Sequence, residues 1–257
     1  MTMEVADIDY IHETAAPFAI GLDRDEVAVL LHGWTGSPAH FRIMAEVLVA
    51  AGYGVSVPLL PGHGTRVEDM VGTGWQHWLE EAATAVDNVA ASGRVVHLVG
   101  LSMGGLLAIL MAPTFAAATI TTINAPMKLA NRAAWLGKFL RSSSHVRSAD
   151  ALPPPEGEGA GFAHQYHATP VGTLGDVFDL IRAARASLGR VTCPALVVQS
   201  RADATVRPIS GQIVFDGLGS PDKRLVWLER SRHVATIDTE RDLIHEALVA
   251  HLWRSGE

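Results

Sequence analysis

The segment VVHLVGLSMGGLLAILMAP, residues 95–113, changes from a strand pattern to a helix pattern across one serine. Residues 95–99 are apolar and mostly β-branched, which is typical of a parallel strand covered on both faces. Residues 106–111 are again apolar and end before a proline, as a buried helix does. Between these runs, GLSMG at 100–104 fits G-x-S-x-G, a strand–turn–helix motif that exposes a serine hydroxyl above a sheet. The segment predicts that Ser102 is a nucleophile.

Small residues around a serine also occur in ordinary strand-to-helix turns, so the motif by itself is not decisive. A nucleophilic serine needs a base, an acid that orients the base, and backbone donors for the oxyanion. The rest of the chain must therefore supply these groups.

Composition limits the class of protein and its partners. The 257 residues are 48% hydrophobic, which is enough to build one large α/β domain spanning 1–257. The formal net charge of −7 gives no basic footprint of the kind that nucleic-acid-binding proteins need, so we expect no nucleic-acid partner. The N-terminal segment lacks the pattern of a secretory signal, and no apolar run approaches the length of a membrane span. A cytoplasmic location is expected.

Neither a metal nor a cofactor is expected. The single cysteine, Cys193, cannot form an intramolecular disulfide or a cysteine metal cluster. Histidine and carboxylate residues also show no close cluster with the spacing of metal ligands.

Strand-like and helix-like runs alternate along the chain. The strand-like runs are 27–31, 53–57, 95–99, 119–123, 195–199 and 224–228. The helix-like runs are 38–51, 75–92, 103–112, 173–188, 208–217 and 239–253. This alternation predicts an α/β fold with a mostly parallel central sheet and helices on both faces.

One interval, residues 126–172, interrupts the alternation with no clear strand and a segment rich in proline and glycine. Leu129, Ala133, Leu136 and Leu140 recur near helical spacing and predict a helix with an apolar stripe. Such a helix could pack on the body of the protein or cover the site as a lid. The interval follows the carboxyl end of a strand, where open α/β sheets bind ligands. We therefore expect a lid or cap whose three leucines contact the substrate or, transiently, a lipid surface.

Two backbone donors for an oxyanion can be assigned from the motifs. One donor is the N–H of Met103, directly after the serine. The other is expected from the loop after an early strand, and HGWTG at 32–36 follows the run at 27–31. The glycines of this loop allow a main-chain N–H to turn inward, which favours Trp34 as the donor, with Gly33 and the Trp34 side chain beside the substrate. An ordinary glycine-rich turn with a structural histidine is the alternative.

The acid and the base are predicted in the loops after the last two strands. In this architecture the chain order is serine, then aspartate or glutamate, then histidine. Asp203 follows the strand-like run at 195–199, and His233 follows the run at 224–228 and precedes the last helix. A loop aspartate is often only a turn former, and a lone histidine is often a packing residue. Their order and their match to the serine motif favour a catalytic triad of Ser102, Asp203 and His233.

Together these motifs resemble the α/β-hydrolase superfamily, and in particular the bacterial monoacylglycerol lipases and related small carboxylesterases. The resemblance spans about residues 27 to 240 and rests on LLHGWTGSP, LPGHGT with VEDM, GLSMGG, INAP, CPALVVQSRAD and SRHVATID. It implies a serine hydrolase that cleaves carboxylic esters, most specifically monoacylglycerols of medium or long acyl chain, without a cofactor. The stretch ALPPPEGEGAGFAH departs from the segment that shapes the alcohol pocket in those enzymes.

Other functions remain open from the sequence. A general carboxylesterase, an acyl thioesterase or an acyltransferase would use the same triad and the same acyl-enzyme. Epoxide hydrolases and dehalogenases are disfavoured because they use aspartate where this chain has Ser102. A non-catalytic binding module of the same fold is disfavoured because all three triad residues are present.

Overall fold

A seven-stranded sheet forms the centre of the protein. The computed structural model describes residues 9–131, 144–148, 155 and 157–254. The strands are β1 Phe18–Ile20, β2 Glu26–Leu31, β3 Gly54–Val57, β4 Val95–Leu101, β5 Thr119–Ile123, β6 Val146–Ser148, β7 Ala168–Pro170, β8 Ala195–Ser200 and β9 Lys223–Leu228. In the central sheet their order is β1-β3-β2-β4-β5-β8-β9, and β6 pairs separately with β7.

All neighbouring strands from β3 to β9 in this order run parallel, and only the edge strand β1 is antiparallel to its neighbour. The register aligns the carboxyl ends, since Leu31 lies opposite Gly100, Leu101 opposite Ile123, and Ser200 opposite Leu228. The loops that follow β2, β4, β5, β8 and β9 therefore meet at one edge of the sheet, where α/β sheets place their ligands.

In the described part of the chain, six helices cover both faces of this sheet. They are α1 Arg42–Ala50, α2 Trp75–Ala90, α3 Met103–Met111, α4 Leu174–Ser187, α5 Ile209–Gly217 and α6 Arg241–Arg254. Strand β2 shows why both faces need cover, because Val27 and Val29 pack in one core cluster while Ala28 and Leu30 pack in the other. The first cluster includes α2, α3 and α4, and the second includes α1 and α6.

The predicted mostly parallel sheet with helices on both faces is confirmed. Each of the six predicted helices is present with ends shifted by a few residues, and the run at 38–51 begins as a 3₁₀ helix, Pro38–Phe41, before α1. Within the described ranges, no helix is long and apolar enough to cross a membrane.

The interval 126–172 differs from its prediction in two respects. It contains a short antiparallel ribbon, β6 with β7, where no strand was expected. Leu129 is not helical but forms an isolated antiparallel bridge with Val206. Backbone bonds from Ala130 N–H to the Thr205 carbonyl and from Arg207 N–H to the Lys128 carbonyl, 2.9 Å each, fix this extended conformation. Long-range backbone pairing thus overrides the local helical spacing. Leu136 and Leu140 lie outside the described residues.

Candidate active site

Ser102 occupies a sharp turn between β4 and α3. Its φ of 54° and ψ of −118° place it in a region that non-glycine residues seldom adopt. Its N–H donates to the Ile123 carbonyl at 2.8 Å, which fixes the turn to the neighbouring strand. A Cβ on Gly104 would lie 1.9 Å from the Leu31 carbonyl oxygen, so only glycine allows α3 to approach β2 this closely. The turn therefore presents the serine side chain at the carboxyl edge of the sheet.

Three predicted residues form one chain of hydrogen bonds. His233 Nε2 lies 2.9 Å from Ser102 Oγ, and His233 Nδ1 lies 2.7 Å from Asp203 Oδ2. With its proton on Nδ1, the ring donates to the carboxylate and accepts the serine hydroxyl proton. The Asp203 side chain is fully buried and that of His233 is 14% exposed. This arrangement has the geometry of an activated nucleophile with an oriented base.

The loop after β8 holds the Asp203 carboxylate in a fixed orientation. Its Oδ1 accepts the backbone N–H groups of Thr205 at 2.8 Å and Val206 at 2.9 Å. The other oxygen is left to face His233. The two backbone donors therefore fix the direction in which the buried side chain faces the imidazole.

Asn124 connects the His233 loop to the sheet. This buried residue follows β5 in the left-handed region, with φ of 49°, which asparagine tolerates better than most residues. Its Nδ2 donates to the His233 carbonyl at 2.8 Å, while its Oδ1 accepts the Ser200 N–H at 2.8 Å. One side chain thereby fixes the backbone of the base relative to the strand that leads to the acid.

Two buried carboxylates shape the remainder of the loop after β9. Glu240 accepts the N–H groups of Glu229, Arg230 and Ser231 at 3.1, 2.8 and 2.7 Å. Asp238 accepts the N–H and the guanidinium of Arg232. Burial raises the pKa of both carboxyls, but these hydrogen bonds outweigh it and leave each pKa below its ordinary value. Both carboxylates therefore remain ionised at neutral pH and hold the loop.

The loop after β2 lies directly against the serine. A Cβ on Gly33 would be 3.2 Å from Ser102 Cβ and 3.7 Å from Ser102 Oγ. In the part of the chain that the structure describes, neither the N–H of Trp34 nor that of Met103 has a hydrogen-bond acceptor. The Met103 N–H also begins α3, where the helix dipole is positive. Two backbone donors without an acceptor are therefore present in the loop beside the serine and directly after it, and their role as an oxyanion hole stays a prediction.

His32 fixes the peptide that carries the Trp34 N–H. Leu60 N–H donates to His32 Nε2 at 3.1 Å, so the ring proton is on Nδ1, which donates to the Gly33 carbonyl at 2.9 Å. The carbonyl of Gly33 and the N–H of Trp34 belong to one planar trans peptide and point in opposite directions. Holding the carbonyl therefore also fixes the direction of the N–H.

The limb at residues 164–173, which ends one residue beyond the interval 126–172, is bonded to the loop after β2 at three points. Ser37 Oγ donates to the His164 carbonyl at 2.7 Å, and the Tyr166 N–H donates to the Thr35 carbonyl at 2.9 Å. The Trp34 indole donates to Thr173 Oγ1 at 3.1 Å. These bonds orient the Trp34 side chain and join the loop to the limb.

Three histidines near this loop are buried in their neutral form. Burial lowers the pKa of His40 to about 3 and that of His63 to about 4. Burial, with the neighbouring His63, lowers the pKa of His32 well below its ordinary value. His63 packs edge-on against Trp78, and His97 bonds Glu26 and Thr119 within the sheet, so both have structural roles.

We expect the free energy of unfolding to fall as the pH is lowered from about 6.5 to 4. In this window the unfolded chain binds protons at these histidines, whereas the folded protein, with its lowered pKa values, does not. Each such group contributes a slope of up to about 1.4 kcal/mol per pH unit, and its contribution is fully present above pH 6.5. Urea denaturation at a series of pH values measures this slope.

A pair of variants isolates one group. His40→Leu should reduce the slope by nearly one proton, because neither His40 ring nitrogen has a hydrogen-bond partner among the described residues and its neutral form is simply packed. His167→Gln, an exposed substitution, should leave the slope unchanged. An unaltered slope in His40→Leu would mean that folded His40 takes up its proton in this window.

Comparison with known proteins places the fold in a family. A profile described as the alpha/beta hydrolase family matches residues 28–247, which is most of the chain. This chain belongs to the alpha/beta hydrolase family. The fold predicted from the sequence is thereby confirmed.

Relatives within the family agree in the kind of reaction. A carboxylesterase of Bacillus subtilis (strain 168) is 30% identical over 223 residues, covering 86% of this chain and 90% of the relative. A thermostable monoacylglycerol lipase of Bacillus sp. (strain H-257) is 34% identical over 224 residues, covering 85% and 86%. The solved structure of a metagenome-derived lipolytic enzyme superposes with a TM-score of 0.87 at 32% identity, covering 94% of this chain and 98% of that one. The present alpha/beta hydrolase is accordingly an ester hydrolase.

Sequence reasoning did not assign Asn124 or Glu240, and it gave His32 a structural role only as the alternative interpretation of its loop. Asn124, Glu240 and the ring of His32 each act through bonds to backbone atoms. For Asn124 the only signal was its position at the end of a strand, within the motif INAP. Glu240 gave none, since an acidic residue just before a helix is ordinarily interpreted as favourable to the helix dipole.

Proposed function

We propose that this alpha/beta hydrolase cleaves monoacylglycerols of medium or long acyl chain to a fatty acid and glycerol through an acyl-enzyme on Ser102. The observation that carries the proposal is the placement of His233 within hydrogen-bond distance of both Ser102, at 2.9 Å, and Asp203, at 2.7 Å. We also propose that residues 1–257 form a single domain, in which residues of about 126–172 form a cap.

In the first half of the reaction Ser102 Oγ attacks the ester carbonyl while His233 Nε2 takes its proton. Asp203 stabilises the resulting imidazolium and retains its own negative charge. The tetrahedral oxyanion accepts hydrogen bonds from the N–H groups of Trp34 and Met103. His233 then gives its proton to the alcohol oxygen, which leaves as glycerol, and the acyl group remains on the serine.

In the second half a water molecule takes the place of the alcohol. His233 removes a proton from this water, which attacks the acyl carbonyl, and the same two N–H groups receive the new oxyanion. Collapse of the intermediate returns the proton to Ser102 Oγ and releases the fatty acid. Apart from the ester and one water molecule, each step uses only groups of this chain.

The choice of a monoacylglycerol rests on two observations and one physical argument. The Bacillus sp. relative, 34% identical, is named for that substrate. The interval 126–172 leaves the sheet at the edge where Ser102 lies, so it can cover an acyl chain. A covered apolar channel gains about 0.8 kcal/mol for each buried methylene, which favours a long chain over acetate. The same channel would accept one chain readily and three with difficulty.

We expect kcat/KM for the monoacylglycerol of a medium or long acyl chain to exceed that for the matching triacylglycerol, and to exceed that for acetate and butyrate esters. The measurement is hydrolysis of mono-, di- and triacylglycerols of one chain length, with the short esters and an acyl-CoA of the same chain assayed beside them. Ser102→Ala protein serves as the blank for non-enzymatic hydrolysis.

Three outcomes would redirect the proposal. A preference for triacylglycerol would contradict the covered channel. A preference for short esters with little glyceride activity would favour a general carboxylesterase, the name carried by the Bacillus subtilis relative. A preference for acyl-CoA would favour an acyl thioesterase.

A further inference from the structure

A groove lies beside the Asp203 loop, separate from the chain of hydrogen bonds at Ser102. It encloses about 580 Å³, within the range of small-molecule sites. One wall is the segment around Leu129, which pairs with Val206 just after the acid. The floor is apolar and includes Met127 together with Phe178 and Ile181 of α4.

The rim of this groove is basic. Lys128, Arg182, Arg185 and Arg207 all line it, and among the residues that the structure describes no carboxylate does. Arg182 pairs with Asp179 at 3.2 Å. Among the described residues the other three cations have no ion-pair partner. Three exposed, uncompensated cations around one groove are unexpected on a chain whose formal net charge is −7.

One face of helix α4 carries both apolar and basic side chains of the groove. Phe178, Ile181, Arg182 and Arg185 are spaced i, i+3, i+4 and i+7, so they share one face of the helix. Arg207 lines the groove on the wall that faces α4. It belongs to that wall because its backbone N–H donates to the Lys128 carbonyl at 2.9 Å. A ligand here would meet guanidinium and ammonium groups at one end and aromatic or aliphatic carbon along its length.

We propose that this groove binds a single-chain fatty-acid anion, with the carboxylate between Arg185, Arg207 and Lys128 and the alkyl chain on the apolar floor. Arginine forks bind carboxylates in a bidentate manner, and the anion relieves the repulsion among the three cations. An inorganic anion would leave the floor uncovered, and a neutral lipid would leave the cations uncompensated. The inference rests on the proposed function in one respect, because that reaction releases such an anion beside the groove.

The test is calorimetric titration of dodecanoate, below its micelle concentration, into Ser102→Ala protein. The double variant Arg185→Gln/Arg207→Gln, in the same background, should bind dodecanoate at least about tenfold more weakly, as expected when charge-assisted hydrogen bonds are lost. Arg190→Gln, an equal charge change per residue on an exposed arginine outside the groove, should bind like the parent. Affinity should also fall as salt is raised. Arg185→Lys keeps the charge but loses the fork, so it should bind dodecanoate more weakly than the parent and more tightly than Arg185→Gln.

Dodecanol and dodecyl phosphate complete the experiment. Dodecanol binding as tightly as dodecanoate would overturn the role of the cations, and a clear preference for dodecyl phosphate would overturn the assignment to a carboxylate. Equal dodecanoate affinity in the parent and the double variant would place the ligand elsewhere. If the protein associates only with vesicles of anionic phospholipid and not with monomeric dodecanoate, the surface is a membrane contact and the proposal is contradicted. Because binding is measured without turnover, these results are independent of whether Ser102→Ala abolishes ester hydrolysis.

Discussion

Ser102→Ala is expected to lower kcat for ester hydrolysis by about 10⁴-fold or more while leaving the protein folded. The substitution removes the only atom in the proposed mechanism that can form the acyl-enzyme. His233→Ala should cost a similar factor, because without the base the serine hydroxyl keeps its proton. The double variant Ser102→Ala/His233→Ala should be no worse than either single variant, since the members of such a triad act as a unit.

Initial rates with a chromogenic ester give kcat, and intact mass after treatment with a fluorophosphonate shows which residue is labelled. We expect one adduct, on Ser102, and none in Ser102→Ala. Asp203→Asn should lose activity too, to a somewhat smaller degree, because the ring loses the carboxylate that orients it. Ser92→Ala, an exposed serine in a surface turn, is the matched control and should retain full activity. Full turnover in Ser102→Ala, or labelling of another serine, would refute the assignment.

Trp34→Pro is expected to reduce kcat by about 10² to 10³, the usual effect of losing one oxyanion donor. Proline has no N–H, so the variant deletes the proposed donor itself. Trp34→Ala keeps that N–H and should retain measurable turnover, with its main effect on which acyl chain is preferred. The contrast between the two variants separates the backbone of Trp34 from its indole.

Thr173→Val provides the matched control for this second experiment. It removes the acceptor of the indole N–H while leaving the loop backbone unchanged in sequence, so kcat should stay close to that of the parent. Thermal unfolding and near-ultraviolet circular dichroism establish that Trp34→Pro is folded before its rate is interpreted. Equal kcat in folded Trp34→Pro and the parent would remove Trp34 from the oxyanion hole.

The sheet and helices could be predicted from the sequence because their signals are local. Runs rich in β-branched or apolar residues, such as 119–123 and 195–199, are buried on both faces, so a short window suffices to recognise them. Asp203 and His233 could be located because parallel strands bring their carboxyl ends to one edge, whatever the sequence distance between the loops. Topology thus predicted which loops would meet, and the distances of 2.7 and 2.9 Å agree with that expectation.

The failures of prediction arise from contacts between distant segments. Leu129 fits a helical stripe, yet its backbone neighbours bond to the loop after β8, which lies more than 70 residues away. Asn124 reaches the carbonyl of His233 across 109 residues. No short window along the chain contains both partners. Every residue has the same backbone carbonyl, so the residue type does not indicate which carbonyl accepts a hydrogen bond. Positioning groups of this kind are therefore seen only in three dimensions.

The bonds between the loop after β2 and the limb at 164–173 affect how the substrate preference of such an enzyme can change during evolution. In two of the three bonds the limb contributes main-chain atoms, the carbonyl of His164 and the N–H of Tyr166, which substitution of the side chain does not remove. Only the hydroxyl of Thr173 is tied to residue identity. Mutations can therefore accumulate across the limb without loosening the loop beside Ser102. A chimera that takes this limb from a relative should keep the loop in place provided that the backbone path is preserved, whatever side chains it introduces.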